Sequence, residues 1–152
     1  TIIGGTKNKN KHNVFPRIVI RRTGDTLCCA LLEVPALTES TLYSCWSINV
    51  LINTKYILAL LNSNLLDYYN KKLNITNQQG FPQILMTDLQ QLPIKIATAT
   101  QQQPIINLVD SILAAKKANP QADTSADEKE IDRLVYELYG LTDEEIKIIE
   151  EK

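Results

Sequence analysis

The sequence predicts an α+β fold: a β-rich N-terminal part with one long helix, followed by a C-terminal helical segment. Three observations predict it. Period-two alternation of apolar and polar residues is confined to the region before about Ile52. Helical spacing of apolar residues starts near Asn53 and dominates everything after Gln101. Strand-like and helix-like stretches are clustered rather than interleaved, which favours segregated layers over a doubly wound sheet. On this reading residues 1–100 form an α+β core, and residues 101–152 form a helical region packed on it within one structural domain.

Each element has a local reason. Thr1 to His12 carries Gly4-Gly5 and then Lys7, Lys9 and Lys11 between polar residues, the pattern of a strand end followed by a basic loop. From Arg17 to Arg21, alternation places Ile18 and Ile20 on one face and Arg17, Val19 and Arg21 on the other. Thr23-Gly24-Asp25 supplies a turn, and Thr26 to Val34 reads as the returning strand of a hairpin. Leu42 to Ile52 is a third strand candidate. Asn53 or Thr54 can cap a helix running to about Leu73, with Ile57, Leu60, Leu61, Leu65, Tyr68 and Tyr69 along one side. Phe81 to Met86 and Leu92 to Ile94 read as short extended segments. A helix beginning near Gln101 places Pro104 in its first turn and ends at Asn119-Pro120. Ser125 with Glu128, and Thr142 with Glu145, fit the capping box in which each end satisfies a free backbone N–H of the other. Gly140 fits a left-handed C-cap between the two helices, and Asp143 and Lys147 are spaced for an i,i+4 pair.

The formal net charge is −1, which taken alone argues against a polyanionic partner. The distribution reverses that. The first hundred residues hold ten basic and five acidic side chains, the remainder six basic and twelve acidic. Lys7, Lys9, Lys11, Arg17, Arg21 and Arg22 fall within a short stretch that contains no acid. Phosphate binding needs such clustering, because each neutralised phosphate releases a counterion. A solvated edge strand protected by charge is the competing explanation. The acids after Ser125 gather at helix starts, where they are stabilising by roughly 0.3–1 kcal/mol each. Lys71 and Lys72 suit the C-terminal end of the long helix for the same reason. Tyr43, Trp46 and Tyr56 at their spacing are read as core in preference to base-stacking platforms.

Several chemistries lack their residues. Cys28, Cys29 and Cys45 cannot form a disulfide scaffold, since neighbours on a strand point to opposite faces; reduced thiols in a cytoplasmic compartment are expected. With His12 as the single histidine there is no zinc spacing, and no Cys–His pair follows from the sequence. No phosphate-cradling glycine loop or G-x-S-x-G elbow occurs. A nuclease reading through Asp132, Glu145 and Lys147 is outweighed by the capping role of Glu145. No stretch reaches the roughly 20 apolar residues of a membrane span. A chain that opens Thr-Ile-Ile-Gly-Gly without an initiator methionine is expected to be part of a longer one.

Four segments, in order, resemble one family. They are Phe15-Pro16-Arg17-Ile18-Val19-Ile20-Arg21-Arg22-Thr23-Gly24-Asp25; Lys55-Tyr56-Ile57-Leu58-Ala59-Leu60-Leu61-Asn62-Ser63; Phe81-Pro82-Gln83-Ile84 with Asp88-Leu89 and Leu92-Pro93-Ile94; and Ile131 to Thr142. Together they are similar to the TaqI-like C-terminal specificity domain. The resemblance implies a target recognition domain of a DNA adenine-N6 methyltransferase, as in bacterial type II restriction–modification enzymes with or without a fused restriction endonuclease. It implies double-stranded DNA as partner, contacted by Arg21, Arg22 and Thr23 at the hairpin, by Lys7, Lys9 and Lys11 in the loop, and by Arg17 unless that residue serves the strand. It also implies an upstream methyltransferase domain of the same chain holding S-adenosylmethionine and an Asn-Pro-Pro-Tyr motif, neither of whose sequence signatures occurs here. The fragment is therefore expected to recognise DNA without catalysing anything alone. A protein–protein or specificity-subunit scaffold without direct base readout is the alternative.

Overall fold

The computed structural model describes residues 2–3, 13–73 and 82–151. An antiparallel sheet is built from β1 (Ile2–Ile3), β2 (Arg17–Arg21), β3 (Cys29–Leu32) and β4 (Leu42–Cys45), in the order β1-β4-β2-β3. The expected hairpin is present. Arg17 stands opposite Leu32 and Ile20 opposite Cys29, while β4 pairs with the other side of β2, Ile18 against Cys45 and Arg21 against Leu42. Ile18, Ile20, Tyr43 and Cys45 face the core, and each is at most 7% exposed.

Six helices follow among the described residues: α1 (Thr54–Asn62), α2 (Asn64–Leu73), α3 (Met86–Leu89), α4 (Ala99–Ala118), α5 (Ser125–Tyr139) and α6 (Asp143–Glu150). The core of sheet and α1 is continuous with Ile105 and Val109 of α4 and with Ile131 and Val135 of α5. Burying one such side chain contributes roughly 1.5–3 kcal/mol. One polar side chain enclosed with them is fully bonded. Gln102, 2% exposed, donates from Nε2 to the carbonyls of Leu51 and Ala97, both at 2.8 Å, and accepts the Asn53 N–H at 2.9 Å. One side chain thereby ties α4 to the entry of α1.

Several expectations need correction. The long helix is two helices. The apolar stripe runs through the junction, but Ser63 leaves the helical region with ψ 151° and its hydroxyl donates to the Leu60 carbonyl. A new start then follows, and Asp132 of α5 accepts from the backbone N–H and side-chain amide of Asn64. The third strand stops at Cys45, because the Ser47 hydroxyl and Asn49 side chain bond the next backbone groups in place of a ladder. That loop leaves Ile48, Val50 and Leu51 exposed. The returning strand is limited to Cys29–Leu32. The extended stretch expected to Met86 ends earlier, with Gln83 bridging Thr23 and α3 beginning at Met86. Leu92 to Ile94 joins no strand; it is held by Tyr139, whose hydroxyl donates to the Pro93 carbonyl.

Helix ends show the same mixture. The box at Thr142 and Glu145 forms, and Gly140 adopts φ 72° at the end of α5. A box not expected forms at Thr98 and Gln101, so α4 begins at Ala99 and Pro104 lies beyond the first turn. Ser125 is already helical rather than a cap: Thr124 precedes α5 and donates its hydroxyl to Glu128, while Asp123 accepts the Ser125 N–H. Lys147 reaches Glu151 at 3.7 Å rather than Asp143.

Candidate nucleic-acid interface

The cations of the N-terminal part do not share one environment. Lys7, Lys9 and Lys11, with His12, lie outside the described residues. Arg17 is fully buried on the sheet face opposite the helices. Its guanidinium donates to the Ala36 carbonyl and lies 5.4 Å from the Phe15 ring centroid, and burial holds its pKa below the ordinary guanidinium value. Alternation places it correctly on the outer face, where the Ala36 carbonyl, in the chain after β3, takes its guanidinium. Arg17 thus lies buried at the start of β2. Arg22 is half-buried; it donates to the Ser40 carbonyl at 3.3 Å and stacks 5.7 Å from the Tyr43 ring centroid. Arg21 and Thr23 are exposed at the hairpin tip.

The tip is held from two sides. On one side the Leu27 N–H donates to Asp67 Oδ1 at 2.8 Å, and Asp67, only 4% exposed, also pairs with Lys71 at 2.9 Å. Asn70 of the same helix donates to the Asp25 carbonyl at 3.4 Å. On the other side the Gly24 N–H donates to the Pro82 carbonyl and the Ile84 N–H to the Arg22 carbonyl, each at 2.9 Å. Gly24 has φ 115°, a conformation that residues with a side chain rarely adopt. A Cβ there would stand 3.0 Å from Arg21 Nη2, so the guanidinium lies over the glycine.

Arg21, Thr23, Gly24, Pro82 and Gln83 line an open cleft of about 520 Å3. Sequence reasoning singled out the first two; Gln83 was missed. Its partner Thr23 is sixty residues away, and no local pattern reports that pairing. A second cleft of about 580 Å3 runs between β3, α1, α4 and α5, with a floor that includes Leu31, Leu58, Val109 and Ile112. Lys129 is the one cation along it, and Glu128 and Asp132 lie beside it.

Other chemistries find no assembled site among the described residues. Cys45 is buried and its thiol is pushed up to about 11 by burial; burial raises Cys29 further, with Cys45 and Cys28 adding to it. Neither is a nucleophile near neutral pH. Asp132 is bonded to Asn64, Glu145 to the Thr142 N–H and Lys147 to Glu151, so the nuclease trio is engaged in helix architecture. No group of His, Cys, Asp and Glu among the described residues could hold a metal ion. No helix there is long and apolar enough to cross a membrane.

Comparison with curated proteins gives no match. The family comparison matches residues 3–94, which takes in β2 to β4, Ile3 of β1, α1 to α3 and the hairpin cleft. It ends before α4, so the resemblance expected at Ile131 to Thr142 lies outside it. Members of the matched family are specificity domains of restriction–modification systems, which implies interaction with DNA and association with a methyltransferase. With more than half its length matched, and the hairpin and the Leu60-Leu61-Asn62-Ser63 junction inside the match, the chain belongs to the TaqI-like C-terminal specificity domain family.

Proposed function

We propose that this chain is the sequence-specific target recognition domain of a type II restriction enzyme or DNA adenine-N6 methyltransferase. It positions duplex DNA for methylation, and cleavage where a nuclease is present, by domains other than itself. The observation that carries the reading is the hairpin tip. Arg21 and Thr23 are exposed there on a backbone bonded both to α2 and to residues 82–84, with an open cleft beside them. Such a rigid cationic tip can set register against phosphates, while neighbouring side chains reach base edges. Lys7, Lys9 and Lys11 enter as further phosphate contacts on sequence alone. S-adenosylmethionine and the adenine-flipping pocket would belong to the methyltransferase, on the same chain or a separate one.

The test is duplex binding across a salt series by this chain together with its methyltransferase. Log affinity is expected to fall linearly with log salt, and Arg21→Ala to weaken binding to all sequences and flatten the slope by about 1. If Arg21→Ala combined with Arg22→Ala left both affinity and slope at wild-type values, the hairpin would not be the DNA surface.

A further inference from the structure

The cleft beside the hairpin holds a residue outside the sequence-derived site. Gln83 is exposed, and its backbone is fixed by the two bonds that flank it, Gly24 N–H to Pro82 and Ile84 N–H to Arg22. Those bonds make Thr23 and Gln83 a non-hydrogen-bonded antiparallel pair, the closer kind, with Cα atoms about 4.5 Å apart and side chains on one side. Their neighbour Ile84 points the other way and is completely buried. Arg21, two residues before Thr23, lines the same cleft. Among the described residues none bonds the Gln83 amide, whereas Arg22 is engaged by Ser40 and Tyr43. Among the described residues that line the cleft there is no acid.

We propose that Gln83 reads the major-groove edge of an adenine while Arg21 holds the phosphate beside it, an inference that rests on the DNA-recognition reading above. The chemistry of the groove selects the base. Adenine presents an N7 acceptor next to an N6 donor, and a primary amide matches both at once. Arg21, open at the tip, suits the phosphate beside that base, which a guanidinium fork can pair bidentately. Thr23 between them supplies a hydroxyl that bonds a base or a phosphate. The positions are held on paired backbone rather than on an open loop, as discrimination between bases requires.

The experiment is selection from a randomised duplex library by this chain together with its methyltransferase, for wild type, Gln83→Ala and Gln83→Glu. Wild type is expected to enrich one site. Gln83→Ala should lose discrimination at a single A·T position by about ten- to a hundredfold, with the other positions and the salt slope unchanged. Gln83→Glu should move the preference at that position towards cytosine, whose N4 group donates to a carboxylate. Because the side chain is exposed, both variants should melt like wild type, which separates readout from misfolding. Selection of the wild-type site by both Gln83 variants would overturn the assignment and leave the DNA reading standing. Failure of wild type itself to enrich any site or bind with salt dependence would overturn both.

Discussion

Asp67 is the residue through which the helical layer holds the hairpin, and its removal has a calculable effect. The carboxylate is 4% exposed, accepts the Leu27 N–H at 2.8 Å and pairs with Lys71 at 2.9 Å. In Asp67→Ala the Leu27 amide, on a residue itself only 6% exposed, loses its acceptor. A hydrogen bond to a charged group contributes about 1.5–3 kcal/mol. Lys71 keeps 39% of its side chain in solvent, so it can turn outward, and its share is under about 1 kcal/mol. The expected loss is therefore about 2–4 kcal/mol. For a chain of 152 residues, each kcal/mol moves the melting temperature by about 2–4 °C. A drop on the order of 5–15 °C follows, with Asp67→Asn falling by roughly half as much because the amide oxygen still accepts. Thermal melting measures the global effect, and hydrogen exchange at the Leu27 amide measures the local one. If Asp67→Ala melted within 1–2 °C of wild type and Leu27 kept its protection, the claim that α2 anchors the hairpin would be wrong.

Gln102→Leu replaces a side chain of similar size but leaves the Asn53 N–H and the Leu51 and Ala97 carbonyls without their partner, so urea unfolding should show a loss of about 2–4 kcal/mol; a near-neutral result would mean those groups are solvated. The thiols offer a pH test. Cys28 is exposed, whereas Cys45 is raised from 9.0 to about 11 and Cys29 higher still, so at pH 8 one thiol should alkylate quickly in the folded protein and all three in denaturant. The unfolded chain loses the Cys45 proton near 9.0 while burial makes the folded one retain it to about 11, so the stability that goes with the protonated thiol is intact below pH 9 and is lost between pH 9 and 11. Urea midpoints at pH 8 and pH 10 check the direction, and rapid alkylation of all three thiols under native conditions would contradict it.

What the sequence reveals and what it hides divides along range of interaction. The hairpin was legible because alternation over Arg17–Arg21 and a Thr-Gly-Asp turn are local signals, and the Thr142 box and Gly140 cap are equally local. The helix break at Ser63 was obscured because Leu60, Leu61, Leu65 and Leu66 keep an apolar stripe across it. The local clue was the Asn62-Ser63-Asn64 triplet, three residues that favour caps over helix interiors. What commits the chain to the break is Asp132, nearly seventy residues later. The surroundings of Arg17 and Gln83 are hidden for the same reason. One is bonded to the Ala36 carbonyl and the other is set beside Thr23 by a bridge, and neither contact leaves a trace in its own neighbourhood.

The charge distribution illustrates the cost of that blindness. On the acidic side, many carboxylates are occupied locally: Asp127 accepts from Ser111, Glu128 from Thr124, Glu145 from the Thr142 N–H, and Glu130 and Glu137 hold Arg133. That agrees with their reading as helix architecture. On the basic side, the six clustered cations suggest a broad phosphate-binding surface, but of the three arginines Arg17 is buried, Arg22 is turned to a carbonyl and a ring, and Arg21 stands open. If each phosphate contact adds about 0.9 to the salt slope, the described hairpin supplies about one unit rather than three. Arg21→Ala should therefore account for nearly the whole slope change of the Arg21→Ala, Arg22→Ala double variant. Any steeper dependence has to come from cations outside the hairpin, the Lys7–Lys11 segment among them, or from the methyltransferase. A slope that fell by about one again on adding Arg22→Ala would show that Arg22 leaves Ser40 and Tyr43 to meet DNA, and that the tip is remodelled on binding.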